Sequence, residues 1–170
     1  MESGEKSCHR SPYHIPRIYI EGIGSDEYLE LVDSTARRTD RCSGRRCFGK
    51  AIYGTLLDEI ADLLAKKATR SFIVVLPPDY RKGLLVEAGS YLEPVPLEGM
   101  RVVIHVCEGD RVEEGSTLGF IATRKFEVRH IRSHVEGVVV YIYSSPEGPP
   151  DRNIVFIAPE EVVQTVTVQS

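Results

Sequence analysis

Between Gly99 and Tyr143 apolar side chains recur at every second position, in short runs cut by glycine. Val102, Ile104 and Val106 alternate with Val103, His105 and Cys107, which is the period of a strand. Gly109-Asp110 follows as a turn, because glycine takes a positive φ without a Cβ clash and aspartate bonds its own backbone. Val112, a second turn at Glu114-Gly115 and a strand carrying Leu118, Phe120 and Ile121 come next. Gly137 opens a second round with Val138, Val140 and Ile142.

Ahead of this block the pattern is more varied. Ile15 to Glu21 reads as a strand with Ile18 and Ile20 on one face, and Tyr28 to Asp33 as a further short strand in preference to a helical turn. Thr55 to Ala68 predicts a helix. Leu56, Leu57, Ile60, Ala61, Leu63, Leu64 and Ala68 form its apolar stripe. Thr55 is its N-cap candidate, Asp58 stands at the third helical position, and Lys66, Lys67 and Arg70 complement its C-terminal end. Ser71 to Leu76 is continuously apolar and predicts a buried strand, ended by Pro77-Pro78-Asp79. Leu84 to Glu87 is a further short strand. Thr165 to Val168 alternate, predicting a last strand with an exposed edge able to pair with a second subunit.

The expected fold class is mainly β, formally α+β. Residues 1–14 are polar and patternless and are read as a disordered N-terminus. Residues 15–93 form a small α+β unit with one amphipathic helix, and the turn-rich Gly89 to Pro96 joins it to a β domain over 94–159. Residues 160–170 are a C-terminal strand or tail.

The glycine-punctuated block carries a resemblance. Gly99, then Gly109-Asp110-Arg111-Val112-Glu113-Glu114-Gly115-Ser116-Thr117-Leu118, then Ser133-His134-Val135-Glu136-Gly137 resemble the biotinyl and lipoyl carrier domain family over roughly Pro94 to Pro159. The resemblance implies a barrel-sandwich hybrid, with a lysine at a hairpin tip for covalent biotin or lipoate. Counting forward from Gly109 places Lys125 at that position; counting back from Gly137 places Phe126 there. The flanking residues, Thr123-Arg124-Lys125-Phe126, are neither Met-Lys-Met nor Asp-Lys-Ala. An α+β half coupled to such a domain is similar to an uncharacterised archaeal family, the domain of unknown function 2118. That family has no activity to carry over.

Composition narrows the function classes. The chain has 170 residues and a formal net charge of −4, which argues against bulk nucleic-acid binding. Asn153 is the only asparagine and tryptophan is absent, a depletion of thermolabile amides that suggests a thermophile. No apolar run reaches membrane-span length and the first residues do not read as a signal peptide, so a cytoplasmic protein is expected. Cys42 and Cys47 are read as free thiols or a local disulfide, Cys107 as a small core hydrophobe in its strand. A metal site would have to recruit Cys8, His9 or His14, and none is assigned.

Candidate chemistry is sparse. Gly22-Ile23-Gly24 invites a dinucleotide loop, but Glu27 stands where a third glycine belongs and would repel phosphate. His130 and His134 would lie about 13 Å apart on a strand, too far to share a metal, and read as surface groups flanking Ser133. Arg37 to Lys50 is the most basic segment and reads as a solvated hairpin loop, or as a phosphate or RNA contact of lower weight. No catalytic constellation is found. The expected function is a non-enzymatic interaction or assembly module whose partner is an unknown protein or a second copy of the chain in a homodimer. The alternative is a carrier modified at Lys125.

Overall fold

The computed structural model describes residues 14–170. The disordered tail expected over 1–14 and the cysteine at position 8 lie outside these residues, apart from His14. The described chain is almost entirely β. Its first strands are β1 (Arg17–Glu21), β2 (Tyr28–Val32), β3 (Thr35–Thr39) and β4 (Arg46–Ala51). Two short strands follow, β5 (Ala61–Asp62) and β6 (Lys67–Ala68), and then β7 (Phe72–Leu76) and β8 (Lys82–Val86). The later strands are β9 (Glu93–Gly99), β10 (Arg101–Ile104), β11 (Arg111–Val112), β12 (Thr117–Ala122) and β13 (Val128–Arg132). β14 (Gly137–Ser144), β15 (Asp151–Ala158) and β16 (Val163–Gln169) complete the chain.

Seven strands close into a barrel in the order β1-β4-β2-β3-β16-β8-β7. The C-terminal strand is therefore not an exposed edge. β16 runs antiparallel to β8 and parallel to β3, and it seals the barrel between them. The alternation at its end sends Val166 and Val168 inward to Tyr19, Leu29, Phe48 and Ile73. Closure leaves no free edge among the barrel strands.

No α-helix forms over 55–68. Asp62 Oδ1 accepts the N–H groups of Leu64 and Ala65, both at 3.0 Å, and Lys66 takes φ 56°. An aspartate that bonds the backbone ahead of it competes with the helical ladder, and a left-handed residue ends it. β5 and β6 pair instead as a minimal hairpin. Leu64 is 97% exposed, so the stripe does not share one face; Ile60, Ala61 and Ala68 alone are fully buried. Thr55 Oγ1 donates to the Ile52 carbonyl at 3.3 Å rather than capping a helix.

The second half is two facing sheets, one of order β10-β12-β13 and one of order β11-β14-β15-β9. Val95, Leu97, Leu118, Val139, Ile142 and Val155 pack between them. Gly109 sits at φ 93° in its turn, and the Asp110 carboxylate accepts the Cys107 N–H at 2.9 Å, as the turn chemistry predicts. At Gly137 a Cβ would lie 2.3 Å from the Ala158 carbonyl oxygen, so only glycine lets β14 and β15 approach. Cys107 lies beyond the end of β10, half-buried and disulfide-bonded, not a buried strand hydrophobe. Cys42 and Cys47 form the local disulfide.

The two halves share one core. Ile18, Ile20, Phe72 and Val74 project outward from the barrel and meet Val138, Val140, Tyr141 and Phe156 of the four-stranded sheet. That is why Phe72–Leu76 is apolar without alternation: Ile73 and Val75 fill the barrel while Phe72 and Val74 fill the junction. A bulge in β14 between Val139 and Tyr141 shifts the phase, so Ile142 faces the sandwich while Val138 and Val140 face the barrel. The expected grouping of Val138, Val140 and Ile142 on one face fails for this reason.

Candidate functional site

The hairpin joining β12 to β13 stands clear of both cores. Ala122 pairs with Val128 and Ile121 with Arg129, so the hairpin is centred on Lys125. The Phe126 N–H donates to the Thr123 carbonyl at 2.9 Å, closing a four-residue turn with Arg124 and Lys125 as its two central residues. Thr123 pins the tip. Its hydroxyl accepts from the Lys125 and Glu127 N–H groups at 3.3 and 3.1 Å, and its own N–H donates to Glu127 at 2.8 Å.

β12 carries a bulge. Between Thr117 and Gly119 its register slips against β13, which places an additional residue on that strand. Lys125 is exposed at the turn, and Phe126 follows at φ 64°. In a hairpin of this length the left-handed position normally holds glycine. Phe126 is also 91% exposed, and Val128 beside it is 61% exposed. Sequence reasoning weighed Phe126 only as a register alternative. The signal was present: a short hairpin with no glycine or asparagine puts some side chain in the left-handed region.

An apolar surface continues from the tip along the outer face of the three-stranded sheet. Val103, Phe120 and His130 pair across β10, β12 and β13. The His105 and His130 rings lie 5.1 and 5.9 Å from the Phe120 ring, one on each side. His105 faces outward, as its alternation predicts.

His134 points elsewhere, to the Glu93 carboxylate at the start of β9. Glu93 is 3% exposed and accepts from Tyr91, from His134 Nε2 at 2.7 Å and from Lys66 Nζ at 3.2 Å. Burial alone would raise the Glu93 carboxyl; the three hydrogen bonds outweigh it and hold the group below the ordinary glutamate value. The same bond pushes the Tyr91 phenol up to about 12. Lys66 belongs to the β5–β6 hairpin and His134 follows β13, so Glu93 clasps the two halves. Its burial was legible, since Glu93, Val95 and Leu97 share one strand face. A depressed folded-state pKa stabilises above the unfolded value near pH 4.3 and loses that stability as pH falls through the folded value. Glu93→Gln is expected to flatten the acid limb of the stability curve and to cost about 1–3 kcal/mol at pH 7. Urea midpoints measured from pH 3 to 8 check this, and an unchanged acid limb refutes it.

Arg38, Arg46 and Lys50 of the basic segment are matched by acids. Arg46 bridges Glu21 and Glu87 through four bonds of 2.8–2.9 Å. The Arg46 hydrogen bond holds the Glu87 carboxyl below its ordinary value despite desolvation. Lys50 lies 3.7 Å from Glu27, and Arg38 4.0 Å from the same residue. Arg37 and Arg45 line a cleft of about 700 Å³ that also holds Glu30 and Asp33. Among the described residues no group of three or more potential ligands is placed to hold a metal. No helix among them is long and apolar enough to cross a membrane.

Two comparisons bear on this geometry. Residues 13–160 match the family described as uncharacterized protein conserved in archaea, DUF2118. The chain is 24% identical over 160 residues to the uncharacterized protein MJ0859 of Methanocaldococcus jannaschii, covering 88% of this chain and 94% of that protein.

Proposed function

The chain belongs to this archaeal family, and on that premise we propose that it is an interaction module presenting the β12–β13 hairpin and the adjoining sheet face to a protein partner. The observation that carries this is Phe126. A non-glycine residue in the left-handed region costs of order 1 kcal/mol, and an aromatic ring left in water forgoes its burial. Both costs fall on one residue, beside exposed Val128. Neither helps the isolated fold, and both are offset where a partner covers the ring. The facing sheets and the resemblance of residues 94–159 to the biotinyl/lipoyl domain supply a rigid platform for such a tip.

Phe126→Gly is expected to raise the melting temperature by a few degrees, for a gain of about 1 kcal/mol. The same change is expected to abolish binding of the partner. The test places a photo-crosslinking residue at position 126, and at exposed Glu114 as a control, in the native host. A discrete adduct at 126 alone supports the module; equal yields at both positions, or no adduct, overturn it.

A second reading has its own observation. Lys125 lies at the centre of the hairpin, exposed and held by Thr123, which suits a lysine carrying biotin or lipoate. The intact mass of the native protein separates the two. An addition of biotin or lipoyl size on Lys125 makes the chain a carrier, and an unmodified Lys125 in cells that load other carriers removes that reading.

A further inference from the structure

We propose that the free edge of β13 takes up an extended, acidic segment of the partner as an added strand. The inference rests on the module reading above and names what that module binds. β13 is an end strand of its sheet, pairing among the described residues with β12 alone. The Thr123 N–H to Glu127 carbonyl bond fixes the phase of the ladder. In an antiparallel pair bonded residues alternate, so residues 127, 129 and 131 face β12 and the N–H and C=O groups of Val128 and His130 face outward. Those are the groups a further strand would use, and their side chains stand on the apolar outer face.

Charge selects the occupant. Between Thr123 and Ser133 the chain carries Arg124, Lys125, Arg129 and Arg132 against one acid, Glu127, in a protein of net charge −4. Basic side chains on a bare edge repel a second copy of the same edge: a two-fold pairing of β13 through Val128 and His130 would set the two copies' Arg129 opposite each other. They do not repel an acidic strand. Arg129 stands on the opposite face of β13 from Val128 and His130, so glutamates or aspartates at alternate positions of the added strand would meet Arg129, while apolar residues between them would cover Val128 and His130. The edge is thus closed to self-association and open to one class of partner.

The probe is a blocked ten-residue peptide alternating glutamate and valine, with a lysine–valine peptide and an oligouridylate as controls. At low salt the acidic peptide is expected to bind the full-length protein at least about ten-fold more tightly than the lysine peptide, and to weaken as salt rises. It is expected to slow amide exchange at Val128 and His130 while leaving Arg129 unchanged. His130→Pro removes one outward N–H that the fold does not use, as prolines at sheet edges do, and is expected to abolish binding. Arg129→Glu keeps every backbone donor and is expected to weaken binding about ten-fold. Binding that leaves the Val128 and His130 amides unprotected, unaltered binding to both variants, or preferential binding of the oligouridylate overturns the proposal. A crosslink from position 126 in the native host, with no peptide protection of the edge, sinks the edge proposal and leaves the module standing. Absence of both sinks the two together.

Discussion

Deleting residues 163–170 is expected to unfold the N-terminal half rather than to alter the oligomeric state. β16 is the stave that closes the barrel. It pairs with β8 from Val163–Val86 to Thr167–Lys82 and with β3 from Thr167–Thr35 to Gln169–Arg37. Removing it exposes two strand edges at once and strips Val166 and Val168 from a core that holds Tyr19, Leu29, Phe48 and Ile73. The single-residue version is Val166→Asp, which places an unpaired carboxylate in the barrel interior. Burial of such a group is expected to remove at least about 4 kcal/mol. Thr165→Asp, one position away and exposed, is expected to change stability by less than about 0.5 kcal/mol. Circular dichroism and urea unfolding of the three variants check the set. A truncated chain that unfolds at the wild-type midpoint would show that β16 is dispensable.

Tyr141→Ala is expected to destabilise both halves together. Tyr141 is fully buried where the barrel and the four-stranded sheet meet. Its ring packs edge-on to Tyr53 at 5.0 Å and lies near Phe72 and Phe156. Its hydroxyl donates to the Leu56 carbonyl at 2.9 Å and accepts the Gly54 N–H at 3.1 Å, fixing the segment that replaces the predicted helix. Burial holds the phenol above its ordinary pKa, so it stays a donor through the accessible range. Truncation leaves a cavity of aromatic size, a loss of about 3–5 kcal/mol. Tyr141→Phe keeps the ring and orphans two backbone groups, a loss of about 1–3 kcal/mol. Because the ring belongs to both halves, fluorescence and amide-exchange probes in each half are expected to lose stability in parallel. A drop confined to the sandwich would mean that the shared core does not couple them.

Much of the local structure was readable from residue order. The strands at Ile18, Leu29, Phe72 and Leu84 follow from apolar alternation or apolar runs, and the Gly109-Asp110 turn follows from the chemistry of its two residues. The helix over 55–68 was not safe, because its leucine spacing suits a helix face and equally a string of turns that dips into a crevice. Asp62 and the left-handed Lys66 decide between them, and what rewards the turns is the junction into which Ile60, Ala61 and Ala68 fit. Lys125 was placed at the tip by motif spacing. Phe126 entered only as a counting ambiguity, because exposure is a property of what does not pack against a residue.

The order of residues by itself determined that the chain is mainly β, where several of its strands run, and where Gly109-Asp110 turns it. These are nearest-neighbour matters, set by φ/ψ limits and by a two-residue period. The tertiary structure alone decided that Val163–Gln169 returns to close the first barrel, that Tyr141 turns toward it across a bulge, and that β13 keeps an open edge. Those outcomes depend on which strand lies beside which. Alternation shows that a strand has a buried face, but its hydrogen-bonding edges carry the same N–H and C=O groups whatever the side chains. Nothing along the chain labels the neighbour that will satisfy them.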